Sequence, residues 1–189
     1  MKKIYYYIIG IVLVLISLIF DKQISIFFTS YRTPILDNIA IFIDYLKWYI
    51  LFSVVLLVVL ISKDYKKIIP LALSFVLYFV IVNALKITFA RPRPYVDLKN
   101  DLVNVTNPYR SFPSGHSTSV SLLIPFLSSK KSVIIWWVIV IIVSLSRVYL
   151  GVHYLSDAIF GVLLGYLIGE FVLYWTNKKK IMKLFYRKI

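Results

Sequence analysis

Three short segments of this 189-residue chain contain the side-chain types that bind and transfer phosphate. They span residues 86–94, 113–117 and 146–157, and they hold both histidines of the chain beside lysine, arginine and aspartate. The chain is 60% hydrophobic, and a charged side chain costs about 2.5–3.5 kcal/mol near the centre of a bilayer. Charged residues in or beside apolar helices therefore indicate a functional site.

The first segment predicts a cationic turn at the end of a helix. Pro92 and Pro94 disfavour helical backbone at the residue before each of them, so a helix should end around Phe89–Arg91. Lys86 then lies about one turn inside that helix, near Arg93. A guanidinium binds two phosphate oxygens at once, so this pair predicts an anion site. The alternative is that the lysine reaches towards the interface and the arginines hold lipid headgroups.

The second segment, with the sequence PSGHS, predicts a helix start that faces an anion. Ser114 is a favourable N-cap residue, and Gly115 lets the backbone approach a ligand closely. The backbone N–H groups and the positive end of the helix dipole would then face an oxyanion. His116 would project from the first turn. A histidine at a helix start can also be a purely structural hydrogen-bonding group.

The third segment arranges Arg147, His153 and Asp157 around a turn at Gly151. We expect one helix to end near Tyr149 and the last helix to begin around His153. His153 and Asp157 would then lie four residues apart on one helical face. A carboxylate on one imidazole nitrogen would leave the other nitrogen available as a nucleophile. The alternative is a buried His–Asp pair that braces the helix junction.

Zinc ligation is the rival chemistry for two histidines and an aspartate, because zinc takes imidazole and carboxylate ligands. Three cations, Lys86, Arg93 and Arg147, would lie beside these ligands and repel a divalent ion. We therefore expect no metal at this site. The chain has no cysteine, which excludes thiolate chemistry.

The elements that position these segments are predicted to be membrane-spanning helices. The mean hydropathy of +0.84 is typical of an all-α, polytopic membrane bundle, here a single domain over 1–189. Two polar residues inside the apolar runs, Asn83 and Glu170, have no assigned role. Six candidate transmembrane helices are predicted, at 4–20, 47–62, 68–89, 115–128, 133–149 and 154–175.

Segment 21–46 is too polar to span a bilayer and is predicted to be an interfacial amphipathic segment on the outer side. Thr33 and Pro34 favour the start of a helix within it. The apolar residues after this start form a stripe at helical spacing, namely Leu36, Ile39, Ile43 and Leu46.

The net charge of +14 is distributed as in a membrane protein. Lysines at 2–3, 63–67, 130–131 and 178–188 fall in alternate loops, on one side of a six-span bundle. This pattern predicts that both termini are cytoplasmic, that basic residues contact anionic membrane lipids, and that the three phosphate-binding segments face outside. The same distribution argues against a nucleic-acid partner.

The patterns Lys-x6-Arg-Pro, Pro-Ser-Gly-His and Ser-Arg-x5-His-x3-Asp together resemble the signature of the type 2 phosphatidic acid phosphatase superfamily. The resemblance covers 86–157 by motif and most of the chain by its six-span layout. It implies a phosphatase without metal or other cofactor, in which His153 becomes a phosphohistidine, Asp157 orients it and His116 protonates the leaving oxygen. The residues that it implies for holding the phosphoryl oxygens are Lys86, Arg93, Ser114, Gly115 and Arg147.

This superfamily includes soluble vanadium haloperoxidases and membrane lipid phosphatases, and the predicted spans favour the second branch. A site at the outer ends of the spans suits a lipid phosphate whose tail stays in the bilayer. We favour undecaprenyl diphosphate, in the plasma membrane of a prokaryote, with phosphatidylglycerol phosphate or phosphatidic acid as alternatives. A transporter would carry charges near the midplane and show related halves. A noncatalytic lipid-phosphate binder would have lost a histidine or the aspartate.

Overall fold

The computed structural model of the protein describes residues 2–46, 67–98 and 107–178. Within these ranges the chain forms helices and connecting loops and no β-strand. The elements are α1 (Lys2–Ser30), α2 (34–46 as described), α3 (Ile68–Phe89), α4 (Pro94–Leu98), α5 (Gly115–Ser121), a 3₁₀ turn (Ile124–Phe126), α6 (Lys130–Tyr149) and α7 (Leu155–Lys178). The all-α fold class is therefore confirmed.

Four of these helices, α1, α3, α6 and α7, are long and apolar enough to cross a membrane within the described ranges. An α-helix rises about 1.5 Å per residue, so about 20 residues cross the hydrocarbon core of a bilayer. The outward faces of these helices carry large apolar side chains, such as Ile19 on α1, Phe79 on α3 and Ile134 on α6. The architecture is that of an integral membrane protein.

Three predicted spans, at 68–89, 133–149 and 154–175, are confirmed as long helices. The predicted span at 47–62 lies outside the described residues. The predicted span at 115–128 differs, because α5 has only seven residues and is followed by a separate 3₁₀ turn. The hydroxyl of Thr118 donates to the carbonyl oxygen of the N-cap residue Ser114, and the hydroxyl of Ser121 donates to that of Thr118. Pro125 lacks the N–H that would continue a helix. Six transmembrane helices are therefore not confirmed.

The first predicted span, 4–20, is part of a longer helix, because α1 continues without a break to Ser30. Residues 21–30 therefore do not belong to an interfacial segment. Asp21, which made this stretch too polar on sequence grounds, is buried at 4% exposure and faces polar partners. The predicted helix start at Thr33 and Pro34 is confirmed, since α2 begins at residue 34 and the N–H of Leu36 donates to Oγ1 of Thr33 at 3.3 Å.

Helix α7 lies at the centre of the described structure and packs against α1, α3, α5 and α6. Its contact with α5 is unusually close because Gly161, Gly165 and Gly169 recur at every fourth position along one face. A Cβ added at Gly165 would lie only 2.1 Å from the carbonyl oxygen of Thr118. Small residues at this spacing let two helix backbones touch. They hold the start of α5 against the start of α7.

The two polar residues without a predicted role have partners in the structure. Glu170 on α7 accepts hydrogen bonds from the hydroxyls of Tyr7, at 2.6 Å, and Tyr166, at 3.0 Å. The side-chain amide of Asn83 donates to the carbonyl oxygen of Phe79 at 2.7 Å. Both contacts satisfy polar groups inside apolar helices, where an unpaired group is costly.

Candidate active site

The three segments that contain the sequence motifs, 86–94, 113–117 and 146–157, meet at one end of the bundle, where α3 ends and α5 and α7 begin. Nη1 of Arg93 in the first segment donates to the carbonyl oxygen of Val152 in the third, at 2.8 Å. The N–H of Ser114 in the second segment donates to the carbonyl oxygen of Asp157 at 3.1 Å. The first bond joins a buried side chain to a backbone carbonyl, and the second joins two backbone groups, so the segments are connected beneath the surface.

The first segment leaves α3 as predicted. The helix ends at Phe89, and Ala90 follows it with a left-handed φ of 40°. Nζ of Lys86 donates to the carbonyl oxygen of Arg110 at 2.8 Å. Arg93 is 8% exposed, and its burial lowers the pKa of the guanidinium below its ordinary value. Both cations are thus held near the site by carbonyl oxygens, with further N–H donors available for an anion.

The second segment is anchored by its own hydroxyls. Oγ of Ser114 caps α5 and accepts the N–H of Ser117 at 3.4 Å. Gly115 packs against α3, where an added Cβ would lie 3.3 Å from the hydroxyl oxygen of Tyr78. The Tyr78 hydroxyl donates to the Gly115 carbonyl at 3.3 Å. The glycine therefore permits a close helix contact that fixes the neighbouring His116.

The third segment differs from its prediction in one respect. Arg147 lies in the last turn of α6 and Gly151 adopts a φ of +70° at the turn, but α7 begins only at Leu155. His153 therefore lies in the loop before the helix. Its Nδ1 is 3.8 Å from Oδ2 of Asp157, which is too long for a hydrogen bond. This nitrogen is buried and has no hydrogen-bond partner among the described residues.

The carboxylate of Asp157 is instead held by three other groups. Nη1 of Arg91 donates to Oδ1 at 2.6 Å. The hydroxyl of Ser111 and the N–H of Tyr154 both donate to Oδ2, the second at 2.9 Å. Arg91 and Ser111 were not predicted as site residues. Arg91 lies within the first segment, but no sequence spacing indicated which carboxylate it would contact.

Arg91 also connects this site to α1. Its Nη2 donates to Oδ2 of Asp21 at 2.8 Å, and its guanidinium lies 4.2 Å from the centre of the Tyr154 ring. Burial lowers the pKa of Arg91, but the carboxylates of Asp157 and Asp21 outweigh burial and raise it. Asp21 in turn accepts the N–H of Ser156 at 2.9 Å. This network ties α1 to the start of α7.

A further carboxylate enters the site from α2. Oδ1 of Asp44 lies 2.8 Å from Nε2 of His116 and also accepts a hydrogen bond from Nη1 of Arg147. The Nε of Arg147 is buried without a partner in the described ranges. Sequence analysis missed Asp44, because its position beside the apolar stripe of α2 is also typical of a solvated residue.

The positive charges of the site act on His153. Burial lowers its pKa well below the ordinary value, and the charges of Arg93, Lys86, Arg147 and His116 lower it further. The imidazole is therefore neutral near pH 7, which is the form that carries a nucleophilic lone pair. Among the residues that the structure describes, no group of three or more His, Asp or Glu is placed to hold a metal ion.

The bundle and this site define a membrane protein with two histidines and a cluster of cationic side chains at one end of its helices. The family model of the PAP2 superfamily matches residues 67–181, more than half of the chain, and the chain belongs to this superfamily. The resemblance inferred from the three motifs is thus confirmed.

Individual relatives agree with this assignment. The chain is 29% identical to an undecaprenyl-diphosphatase of Sulfolobus acidocaldarius over 87% of its own length and 88% of that protein. It is similar to the crystal structure of a transmembrane PAP2-type phosphatidylglycerolphosphate phosphatase from Bacillus subtilis, with a TM-score of 0.72, 28% identity and coverage of 92% and 97% of the two chains. The crystal structure of Aquifex aeolicus LpxE matches with a TM-score of 0.71, 28% identity and coverage of 82% and 94%. The chain is a membrane phosphatase.

Proposed function

We propose that the chain hydrolyses the phosphate group of a membrane lipid, with undecaprenyl diphosphate as the favoured substrate. The observation that carries this proposal is the meeting of His116, His153 and three cations at one end of the membrane helices. A lipid could present its phosphate there while its tail remains beside the apolar outer faces of the bundle. The proposed reaction needs no metal.

His153 is the proposed nucleophile. Its Nδ1 is the nitrogen nearer Asp157, so attack on phosphorus is assigned to Nε2. As the N–P bond forms, the bond between phosphorus and the leaving oxygen breaks, and His116 donates its proton to that oxygen. Water then attacks the phosphohistidine, His116 takes a proton from it, and inorganic phosphate leaves. His153 ends the cycle neutral and His116 ends it protonated.

The proposed role of the cations is to hold the phosphoryl oxygens during both steps. The transition state of phosphoryl transfer spreads negative charge over these oxygens, so fixed cations lower its energy. Arg147 is favoured for direct contact because its Nε is buried without a partner among the described residues. Lys86 and Arg93 are assigned the same role. Ser114 and Gly115 support the site by fixing the start of α5.

Asp157 is proposed to orient His153 through the loop rather than through a direct hydrogen bond. Its carboxylate accepts the N–H of Tyr154, the residue after His153, at 2.9 Å. Its carbonyl oxygen also accepts the N–H of Ser114 at 3.1 Å. One residue thereby fixes the spacing between the loop of the nucleophile and the helix of the acid.

The relatives support a lipid substrate without deciding which one. An undecaprenyl-diphosphatase is similar to this chain over most of both lengths, which favours a polyprenyl diphosphate. The phosphatidylglycerolphosphate phosphatase of Bacillus subtilis favours a glycerophospholipid as the second candidate. Phosphatidic acid is a third. We place the site on the outer face of a prokaryotic plasma membrane, with both termini cytoplasmic, on the distribution of lysines.

The test is phosphate release by the purified protein from a panel of lipids at equal surface concentration. The panel contains undecaprenyl diphosphate, phosphatidylglycerol phosphate, phosphatidic acid and a soluble alkyl phosphate. We expect the highest kcat/KM for undecaprenyl diphosphate and the lowest for the soluble ester. No release from any lipid, with binding retained, would instead identify a noncatalytic binder.

A further inference from the structure

The proposed function requires the two histidines of the site to hold different numbers of protons, and the inference below rests on it. His153 must be neutral to attack phosphorus, whereas His116 must carry a proton to give to the leaving oxygen. Both rings lie among the same cations. The charges of Arg93, Lys86 and Arg147 help to keep His153 neutral, and the same field acts against a positive charge on His116.

The two histidines differ in their distance to a carboxylate, although each of the two carboxylates is also paired with an arginine, Asp157 with Arg91 and Asp44 with Arg147. The Asp157 carboxylate lies 3.8 Å from Nδ1 of His153 and is already paired with Arg91 at 2.6 Å. The Asp44 carboxylate lies 2.8 Å from Nε2 of His116. Its side chain is 18% exposed and that of His116 is 16% exposed, so water screens this pair only partly.

Charged groups from other elements also face this site. Arg147 from α6 shares Oδ1 of Asp44, and His153 lies in the loop before α7. Lys86 on α3 and Arg93 in the loop after it add further positive charge to the site. On α3, the hydroxyl of Tyr78 donates to the carbonyl oxygen of Gly115 beside His116.

We propose that Asp44 is the positioning residue that keeps His116 protonated and fixes its ring for proton donation. In the doubly protonated ring, the Nε2 proton is donated to Asp44 and the Nδ1 proton passes to the leaving oxygen. After transfer, His116 is neutral and Asp44 still holds Nε2. When water attacks the phosphohistidine, the proton that water loses returns to Nδ1 and restores the imidazolium.

This assignment also gives α2 a function. The helix lies mostly exposed, with Ile35 at 73% and Tyr45 at 72%, yet it brings one carboxylate to the acid of the site. Asp37 on the same helix supplies a matched control. Its Oδ1 accepts the hydroxyl of Tyr149 at 2.7 Å, and no proposed step involves it.

The first experiment measures the protonation of His116 directly and does not require turnover. The chain has two histidines, so nitrogen-15 histidine labelling gives two pairs of imidazole nitrogen signals, which the His153→Gln variant assigns. In the unaltered protein, we expect His116 to be protonated at pH 7 and His153 to be neutral. In Asp44→Asn the titration midpoint of His116 should fall by at least about one pH unit, which is a tenfold change in proton affinity. Asp37→Asn should leave it unchanged.

The second experiment measures kcat/KM against pH on phosphatidic acid and on a nitrophenyl phosphate. With the lipid substrate, Asp44→Asn should move the alkaline limb of the pH profile of kcat/KM to lower pH. It should also reduce kcat/KM at least about tenfold, within the roughly 10²–10⁴-fold range of general acid catalysis. On the aryl ester, whose leaving oxygen needs little protonation, kcat/KM of the variant should fall much less. Equal loss on both substrates with an unmoved profile would overturn the role of Asp44.

The two experiments separate this inference from the proposed function. A His116 midpoint below pH 6.5 in the unaltered protein would contradict the role of Asp44 even if the enzyme is active. Absence of lipid hydrolysis with a high midpoint would instead contradict the proposed function and leave the Asp44–His116 pairing intact. If Asp44→Asn does not fold, the midpoint in the unaltered protein still decides the question.

Discussion

Nη1 of Arg91 lies 2.6 Å from Oδ1 of Asp157, so the carboxylate that was expected to hydrogen-bond His153 is bound to a guanidinium. Arg91 also contacts Asp21 of α1 at 2.8 Å. The negative charge nearest the proposed nucleophile is thereby compensated, and His153 stays in a net positive environment. The same contacts join α1, the loop after α3 and the start of α7 into one unit.

Replacing Arg91 with alanine should destabilise the protein, because it leaves two buried carboxylates without their cation. Breaking a buried ion pair costs about 3–5 kcal/mol. We expect a loss of about 3 kcal/mol, at the lower end of this range, because the Arg91 side chain retains 24% exposure. Unfolding by denaturant in detergent micelles measures the change. Arg110→Ala, which removes an exposed arginine side chain, serves as the control and should change stability little. Equal effects in the two variants would contradict the structural role of Arg91.

Replacing His153 with alanine should abolish turnover while leaving phosphate binding in place. The reason is that the nucleophile is lost, whereas the cations that hold the phosphoryl oxygens remain. Phosphate release reports the first effect, and binding of a nonhydrolysable lipid phosphonate reports the second. Asp37→Asn, at a residue that takes part in no proposed step, provides an active reference. Substantial residual hydrolysis by the His153 variant would remove it as the nucleophile.

Replacing His116 with alanine should be rescued selectively by a good leaving group. The proposed acid matters most when the leaving oxygen is a lipid alkoxide and least when it is an aryloxide. Relative to the unaltered enzyme, His116→Ala should be at least about tenfold more active on a nitrophenyl phosphate than on phosphatidic acid, given a general acid contribution of roughly 10²–10⁴-fold. His153→Ala should stay inactive on both. The same fractional loss on both substrates would mean that His116 binds phosphate or supports the fold.

The stability of the protein should fall as the pH falls below the ordinary pKa of histidine, through the effect of burial on His153. Its folded pKa lies well below 6.5, so the unfolded chain takes up the proton first. Stability from this group is complete above about pH 6.5 and decreases as the pH falls from there towards the folded pKa. Unfolding midpoints measured between pH 7.5 and 5 should show a shallower pH dependence in His153→Gln. An identical slope in the two proteins would show that His153 titrates normally when folded.

Activity should survive chelation and be inhibited by vanadate. The proposed steps use side-chain groups alone, and vanadate mimics the pentacoordinate phosphorus that His153 would form on attack. Phosphate release after dialysis against EDTA, with and without added vanadate, measures both effects. Loss of activity in EDTA that zinc or magnesium restores would overturn the metal-free mechanism.

The sequence by itself determined the features that depend only on residues close together in the chain. Apolar runs of sufficient length predicted α3, α6 and α7, because a bilayer selects helices that can bury about 20 apolar residues. The prolines after Phe89 and the Thr33-Pro34 pair predicted where helices end and begin, because proline restricts the backbone locally. The three motifs predicted the superfamily for the same reason, since residue type and spacing are local properties.

Only the tertiary structure decided which charges face one another. Asp21, Asp44 and Arg91 are separated in the chain from their charged or titratable partners by 66–103 residues, and no periodicity relates residues at such distances. The length of α5 also required the structure, which shows that this helix ends at Ser121 and packs closely on the glycines of α7. Helix packing places a carboxylate near each histidine. It brings Asp44 into contact with His116, and it pairs Asp157 with Arg91.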